Sequence, residues 1–158
     1  MISELLDHTD LRILNLMQDD CRLSPKQLAN HLKISYNTVL DRLKKLTDQG
    51  CILGYTTLLN KEIVSEYLHF MILVKLREHT AQALLDFKMA VDEIEDVKEC
   101  YHLTGRFDFH LKVSVRDMAA YNKLLNDVLL ALPNVNSCET ACVISTSKFD
   151  TRIKLTMK

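Results

Sequence analysis

Apolar residues recur at helical spacing from Leu5 to about Gly50, after which the period changes. A first helix is predicted to begin at Asp7, with Asp10 as an acidic first-turn residue and Leu11, Leu14 and Met17 along its inner face. The stretch RLSPKQLANHL signals a second helix. Ser24 can cap it, Pro25 suits its first position, Gln27 completes a capping box, and Leu28 and Leu32 share a face. A tight turn, KIS, follows. Ser35 can cap a third helix, whose Val39, Leu43 and Leu46 point inward and which Gly50 stops in a left-handed conformation. Short helices joined in this way match the helix-turn-helix module.

CILGYTTLL then switches to an extended pattern and leads toward a second domain. From about Tyr67 the period is two: Leu68, Phe70, Ile72, Val74 and Leu76 alternate with His69, Lys75 and Arg77. Thr80 to Ile94 reads as a helix with Leu84, Phe87, Val91 and Ile94 inward. VKECYHLT and DFHLKVSV read as strands separated by GRF. Met118 to Leu132 is a second helix with Tyr121, Leu125, Val128 and Leu132 on one side. SCETACVIST is a strand, and TRIKLTM is expected to be another. The expected class is therefore α+β, an N-terminal three-helix helix-turn-helix domain followed by a ferredoxin-like βαββαβ sandwich. The boundaries are placed at 1–55 for the first domain, 56–66 for a linker and 67–158 for the second. A sheet with helices on one face needs cover on the other, from water or from a partner's sheet.

Composition narrows the function. The 158 residues are 47% hydrophobic and 26% charged, a soluble globular profile, and three Gly with two Pro leave no low-complexity tract. No apolar run reaches the roughly 18 residues of a membrane span. MISELLDHTD lacks the basic and apolar regions of a secretion signal. Cys21, Cys51, Cys100, Cys138 and Cys142 form no C-x-x-C pair, so no zinc or redox motif is indicated, and reduced thiols in a cytoplasm are expected. The net charge of −1 gives no bulk attraction to nucleic acid, so any such role must rest on a local surface.

The third predicted helix supplies one. With Val39, Leu43 and Leu46 buried, it exposes Tyr36, Asn37, Thr38, Asp41, Arg42, Lys44 and Lys45 behind the cap Ser35. A recognition helix reads bases with its N-terminal residues while neighbouring donors hold phosphates. Asn37 can pair with adenine and Thr38 can meet a thymine methyl. Arg42 can read guanine, hold a phosphate, or pair within the chain with Asp41 or Asp48. Lys33, Lys44 and Lys45 are phosphate candidates. A single lysine reads better as a solvated side chain; the whole array, capped twice and joined by the right turn, reads as a DNA-binding surface.

The stretch from Leu6 to Asn60 resembles the N-terminal half of the Lrp/AsnC (leucine-responsive/asparagine-responsive, feast-famine) regulators. The shared pattern runs through LDHTDLRIL, through Leu23 and Ser24, and from Ser35 to Tyr55. HLTGRFDFHLKV, DMAAYNKLL and LPNVN resemble that family's amino-acid-sensing domain, so the likeness spans nearly the whole chain. It implies a transcription factor that binds double-stranded DNA, dimerises through its sheets and assembles further, as into octamers. Among the residues no Ser/His/Asp or Cys/His arrangement has motif support, so no catalytic residue, metal or cofactor is expected.

TGRFD, between two predicted strands, is the candidate ligand loop. Gly105 can take a left-handed conformation that leaves N–H groups accessible beside the carboxylate of Asp108. Such a pair suits the carboxylate and ammonium of an amino acid. On spacing alone a plain hairpin is the better account; the resemblance favours an effector site at an interface between dimers. It also implies effector-response positions at His102, Thr104, Arg106, Met118, Ala141, Cys142 and Val143. Arg106 stands where relatives often carry an acidic or neutral residue, and Ala141 replaces a frequent aromatic, which bears on which amino acid is accepted. Other histidines, His69, His79 and His110, read as satisfied or solvated. Two alternatives remain open. One is an enzyme similar to the tetrapyrrole decarboxylases that share this architecture, using His102, His110, Arg106 and Arg116. The other is an architectural DNA-binding protein without an effector.

Overall fold

The computed structural model describes residues 5–64 and 67–156, apart from the side chains of Lys61 and Glu62. It divides into two compact units. The first comprises residues up to 58 together with those from 148 onward; the second is Leu59–Ser147.

The first unit holds α1 (His8–Asp19), α2 (Pro25–Leu32) and α3 (Tyr36–Asp48). Each begins as its sequence dictates. Asp7 and Asp10 form a reciprocal capping box on α1, Ser24 and Gln27 another on α2, and Ser35 caps α3 through the Thr38 N–H at 3.1 Å. The turn into α3 places Lys33 in the left-handed region at φ 58°, and the Ile34 N–H reaches back to the Ala29 carbonyl at 3.2 Å. Gly50 ends the unit's last helix at φ 69°. Ile13, Leu32 and Leu46 form one buried cluster, and Leu28, Ala29 and Val39 another; both meet Leu16, Met17, Ile34 and Leu43. Ile13, absent from the predicted face of Leu11, Leu14 and Met17, is fully buried, while Leu14 and Met17 are only partly so.

The expected strand TRIKLTM is corrected. Residues 151–156 form no strand, and Met157 lies outside the described residues. The backbone of Ile153 and Leu155 bonds instead to the side-chain amides of Gln18 and Asn15 on α1. A ladder needs a second backbone, and a helix offers this extended chain only its side chains. By their contacts, residues from 148 onward group with the first unit.

The second unit contains a short helix α4 (Lys61–Val64), β1 (Leu68–Leu76), α5 (Ala81–Asp92), β2 (Val97–His102), β3 (Phe109–Val115), α6 (Met118–Lys123) and β4 (Val135–Cys142). The strands form one sheet in the order β2-β3-β1-β4, with every described pairing antiparallel. The predicted alternation holds. Phe70, Ile72, Val74 and Leu76 of β1 and Phe109, Leu111, Val113 and Val115 of β3 form a core with Phe87, Val91, Tyr121, Leu124, Leu129 and Val135. Phe70 stacks on Tyr121 with ring centroids 4.1 Å apart.

The helix from Met118 departs from its predicted period. From Leu124 to Leu129 it is π-helical, and the Leu130 N–H bonds to the Leu125 carbonyl at 2.9 Å. The wider turn puts Leu124 and Leu129 in the core and leaves Leu125, Val128 and Leu132 only partly buried against it. Leu124 and Leu129, three and eight residues after Tyr121, are core positions absent from the predicted face of Tyr121, Leu125, Val128 and Leu132.

Candidate nucleic-acid interface and ligand loop

The exposed side of α3 presents Tyr36, Asn37, Asp41 and Lys44, with Thr38 partly buried. The Thr38 hydroxyl lies 2.8 Å from that of Ser35, so the N-terminus of the helix is internally ordered. Lys44 pairs along the helix with Asp48 at 3.1 Å and keeps 80% of its side chain exposed. Lys33 stands exposed in the turn before the helix.

Arg42 and Lys45 are placed differently. The Asp10 carboxylate is fully buried and accepts from Lys45 Nζ at 2.8 Å and from Arg42 Nη1 at 3.0 Å. Arg42 also bonds to Asp7. Burial alone would raise the Asp10 carboxyl. Hydrogen bonds from Lys45, the Asp7 backbone and Arg42 outweigh it and hold the group below the ordinary carboxylate range. The backbone N–H of Asp10 and the Arg42 guanidinium likewise hold Asp7 low. The intrachain partners of Arg42 are thus Asp7 and Asp10 rather than Asp41 or Asp48. Asp10 is the residue that sequence reasoning missed. In sequence it is only a first-turn acid, and the cations it meets lie 32 and 35 residues away. The capping box fixes the Asp10 carboxylate against the Asp7 N–H but carries no information about α3.

In the second unit, Gly105 lies between β2 and β3 at φ 122°, a conformation L side chains rarely adopt. The turn closes through the Leu103 N–H on the Asp108 carbonyl at 2.8 Å. Asp108 is not idle. Its Oδ2 accepts from the Leu76 N–H at 2.7 Å and its Oδ1 lies 3.0 Å from His79 Nε2. Arg106 reaches Glu139 of β4 at 2.9 Å and lies over the Phe107 ring at 5.1 Å. His79, read from sequence as scattered, belongs to this loop, and β1 carries it there.

The remaining candidates fall in two places. His102 ends β2 beside the loop, stacked on Phe109 at 5.0 Å. With Cys100, Val91 and Met89 it lines a shallow cavity of about 390 Å³ between α5 and β2. Thr104, Gly105 and Arg106 are exposed at the same end of the sheet. Ala141 and Cys142 pair with Met71 and Phe70 near the opposite end of β1, where the Val143 N–H bonds to the His69 carbonyl and where Met118 follows the end of β3. Val74, which accepts from the Asp108 N–H, and Phe70 lie four residues apart on β1, about 13 Å of strand. One amino acid cannot bridge both groups within one sheet. Among the described residues no cluster of three or more His, Cys, Asp or Glu could hold a metal.

A capped helix-turn-helix followed by an antiparallel sheet that carries a polar loop defines a DNA-binding regulator with a separate ligand-binding domain. Residues 6–52 match a winged helix-turn-helix DNA-binding domain, and residues 69–153 match the Lrp/AsnC ligand binding domain. The chain is 37% identical over 148 residues to the leucine-responsive regulatory proteins of Salmonella typhimurium and Escherichia coli, covering 94% of this chain and 90% of theirs. It superposes on a transcriptional regulator from Neisseria meningitidis solved as its L-Met complex with a TM-score of 0.83, 32% identity and coverage of 94% and 96%. Escherichia coli AsnC shares the fold at the same TM-score with 23% identity and coverage of 96% and 99%. The chain belongs to the Lrp/AsnC family and is a DNA-binding transcriptional regulator. The decarboxylase alternative is set aside, since both domains match those of regulators.

Proposed function

We propose that the protein binds double-stranded DNA through α3 and that an amino acid at the loop of the second unit modulates this binding. The carrying observation is the division of labour on α3. Arg42 and Lys45 are bound to Asp10 and brace the helix, while Tyr36, Asn37, Thr38 and Asp41 face outward for bases and Lys33 and Lys44 for phosphates. Ser35 orders the end that enters the groove. An α-amino acid suits the loop because Asp108 offers a carboxylate to an ammonium and the backbone near Gly105 offers N–H groups to a carboxylate. The L-Met complex of the Neisseria relative supports that ligand class. The ammonium would share Asp108 with His79 or replace it.

The working form is a homodimer or a larger assembly such as an octamer, in the cytoplasm. Leu53, Tyr55, Leu58 and Leu59 leave 96%, 61%, 65% and 64% of their surfaces exposed, an apolar run that a second copy would cover. In such an assembly Met118, Ala141, Cys142 and Val143 of one copy complete the site that His102, Thr104, Gly105, Arg106 and Asp108 begin on another. The test selects genomic fragments with and without each common amino acid, followed by calorimetry with the same panel. Recovery of a defined fragment set whose occupancy changes with one amino acid supports the reading. DNA binding that no member of the panel changes, with no calorimetric signal at millimolar concentration, would leave an architectural DNA-binding protein.

A further inference from the structure

The tail on α1 is built as a specific contact. Gln18 Nε2 donates to the Ile153 carbonyl at 2.9 Å while its Oε1 accepts from the Ile153 N–H at 2.6 Å. Asn15 repeats the arrangement on Leu155, at 2.9 Å and 3.3 Å. Each side-chain amide thus presents a donor and an acceptor to one residue's backbone, as a neighbouring strand would. Asn15 and Gln18 lie three apart on one helix face, and Ile153 and Leu155 lie two apart on one side of an extended chain. Backbone contacts carry no information about side chains, so they do not set the register. Arg152 does so by bonding to Asp19 at 3.2 Å, with Asp150 holding the guanidinium from the other side at 3.0 Å. None of Asn15, Gln18 or Asp19 is among the residues offered to DNA.

The tail also has a defined origin. It leaves the sheet at the end of β4, where Cys142 pairs with Phe70 and the Val143 N–H bonds to the His69 carbonyl. The chain enters β1 at Leu68, two residues from Phe70 on the same strand end. The two connections between the units, before β1 and after β4, therefore start from adjacent points on the sheet.

We infer that the α1 face of Asn15, Gln18 and Asp19 is a docking site for the chain's own C-terminal tail, and that the docked tail is a second tether between the DNA-binding unit and β4. Release of the tail frees the DNA-binding unit without altering α3. This holds whether or not an amino acid binds at the loop.

The experiment uses the full-length chain and three variants: Asn15→Ala with Gln18→Ala, Asp19→Arg, and Asp19→Arg with Arg152→Asp. Hydrogen exchange reads the amides of Ile153 and Leu155. Spin-label distances between α2 and α5, in a background without native cysteines, read the freedom of the first unit. In wild type both tail amides are protected and the distance distribution is narrow. The double alanine variant and Asp19→Arg lose that protection by about tenfold or more and broaden the distribution. The charge-swapped pair restores both, which separates docking from a general loss of stability. Unprotected tail amides in wild type would overturn the docking. Equal distance distributions in wild type and in a variant whose tail has been released would overturn the tether.

Discussion

At the scale of single residues, Asp10 divides the basic side chains of α3 into two kinds. Lys44 is solvent-exposed and paired only along its own helix, an interaction worth about 0.3–0.5 kcal/mol. Lys44→Ala should leave the melting curve nearly unchanged and weaken binding to all DNA sequences, with the salt slope reduced by about one unit for one lost phosphate contact. Lys45→Ala should instead lower stability, because it strips a buried carboxylate of a charged donor worth about 1.5–3 kcal/mol. Urea unfolding of the two variants side by side checks this, and equal stabilities would contradict it. Asn37→Ala is expected to relax preference at one base pair by about 1–3 kcal/mol, read in competition with variant operators. The carboxyls of Asp7 and Asp10 are both depressed by folding, so the folded state binds fewer protons at these sites than the unfolded one. Their contribution is complete above the unfolded value of about 3.9 and is lost as pH falls below it. Acid unfolding followed at α1–α3 should therefore be shallower in Asp10→Asn than in wild type.

At the scale of elements, the π-helical turn makes a sharp distinction. Of the leucines in this segment, the structure buries Leu129 completely and Leu125 only partly. Leu129→Ala should cost about 2–5 kcal/mol, in the range of a large core truncation. Leu125→Ala should cost clearly less, about 1–2 kcal/mol for partial burial. Calorimetric melting of the pair ranks them, and the reverse order would contradict this placement of the two side chains. The three helices of the first unit need no such correction, because each is marked at its start by a residue that satisfies its own backbone N–H groups. The hairpin from β2 to β3 is equally local: Gly105 supplies the positive φ and the strands on either side alternate.

At the scale of the whole molecule, the chain exposes Leu53, Tyr55, Leu58 and Leu59 around its linker, a run of apolar side chains that assembly would cover. Light scattering at micromolar concentration should give a mass at least twice the 18.2 kDa of the chain, and a monomer would contradict the proposed assembly. Operators should then carry inverted half-sites about one helical turn or a multiple of it apart, because two-fold protein symmetry is mirrored in the DNA. The two groups of ligand candidates, at opposite ends of β1, lead to a further expectation at this scale. Asp108→Asn should weaken amino-acid binding by about tenfold to a hundredfold, as loss of a charge-assisted bond does, while leaving DNA affinity without ligand intact. Calorimetry and anisotropy on the same preparation test both halves of that statement.

What could be read in the chain was what depends on neighbours in sequence. Caps, the helical period of α1 to α3, the alternation of β1 and β3 and the left-handed positions at Gly50 and Gly105 are local, and they foretold the helix-turn-helix, the βαββαβ order and the turn between β2 and β3. The tertiary structure decided where distant partners met. Arg42 and Lys45 turned to Asp7 and Asp10, more than thirty residues away, because a buried carboxylate must be satisfied. His79 came to Asp108 because β1 and β3 are neighbours in the sheet. The π-helical turn lies in the same run, where Leu124 and Leu129 are buried and Leu125, Val128 and Leu132 only partly so. The tail, whose alternation in sequence suits a strand, took its hydrogen bonds from the amides of a helix, since an extended backbone accepts any correctly placed donor and acceptor. Periodicity records which side of an element is apolar, while the identity of the partner is a long-range fact that only the folded chain contains.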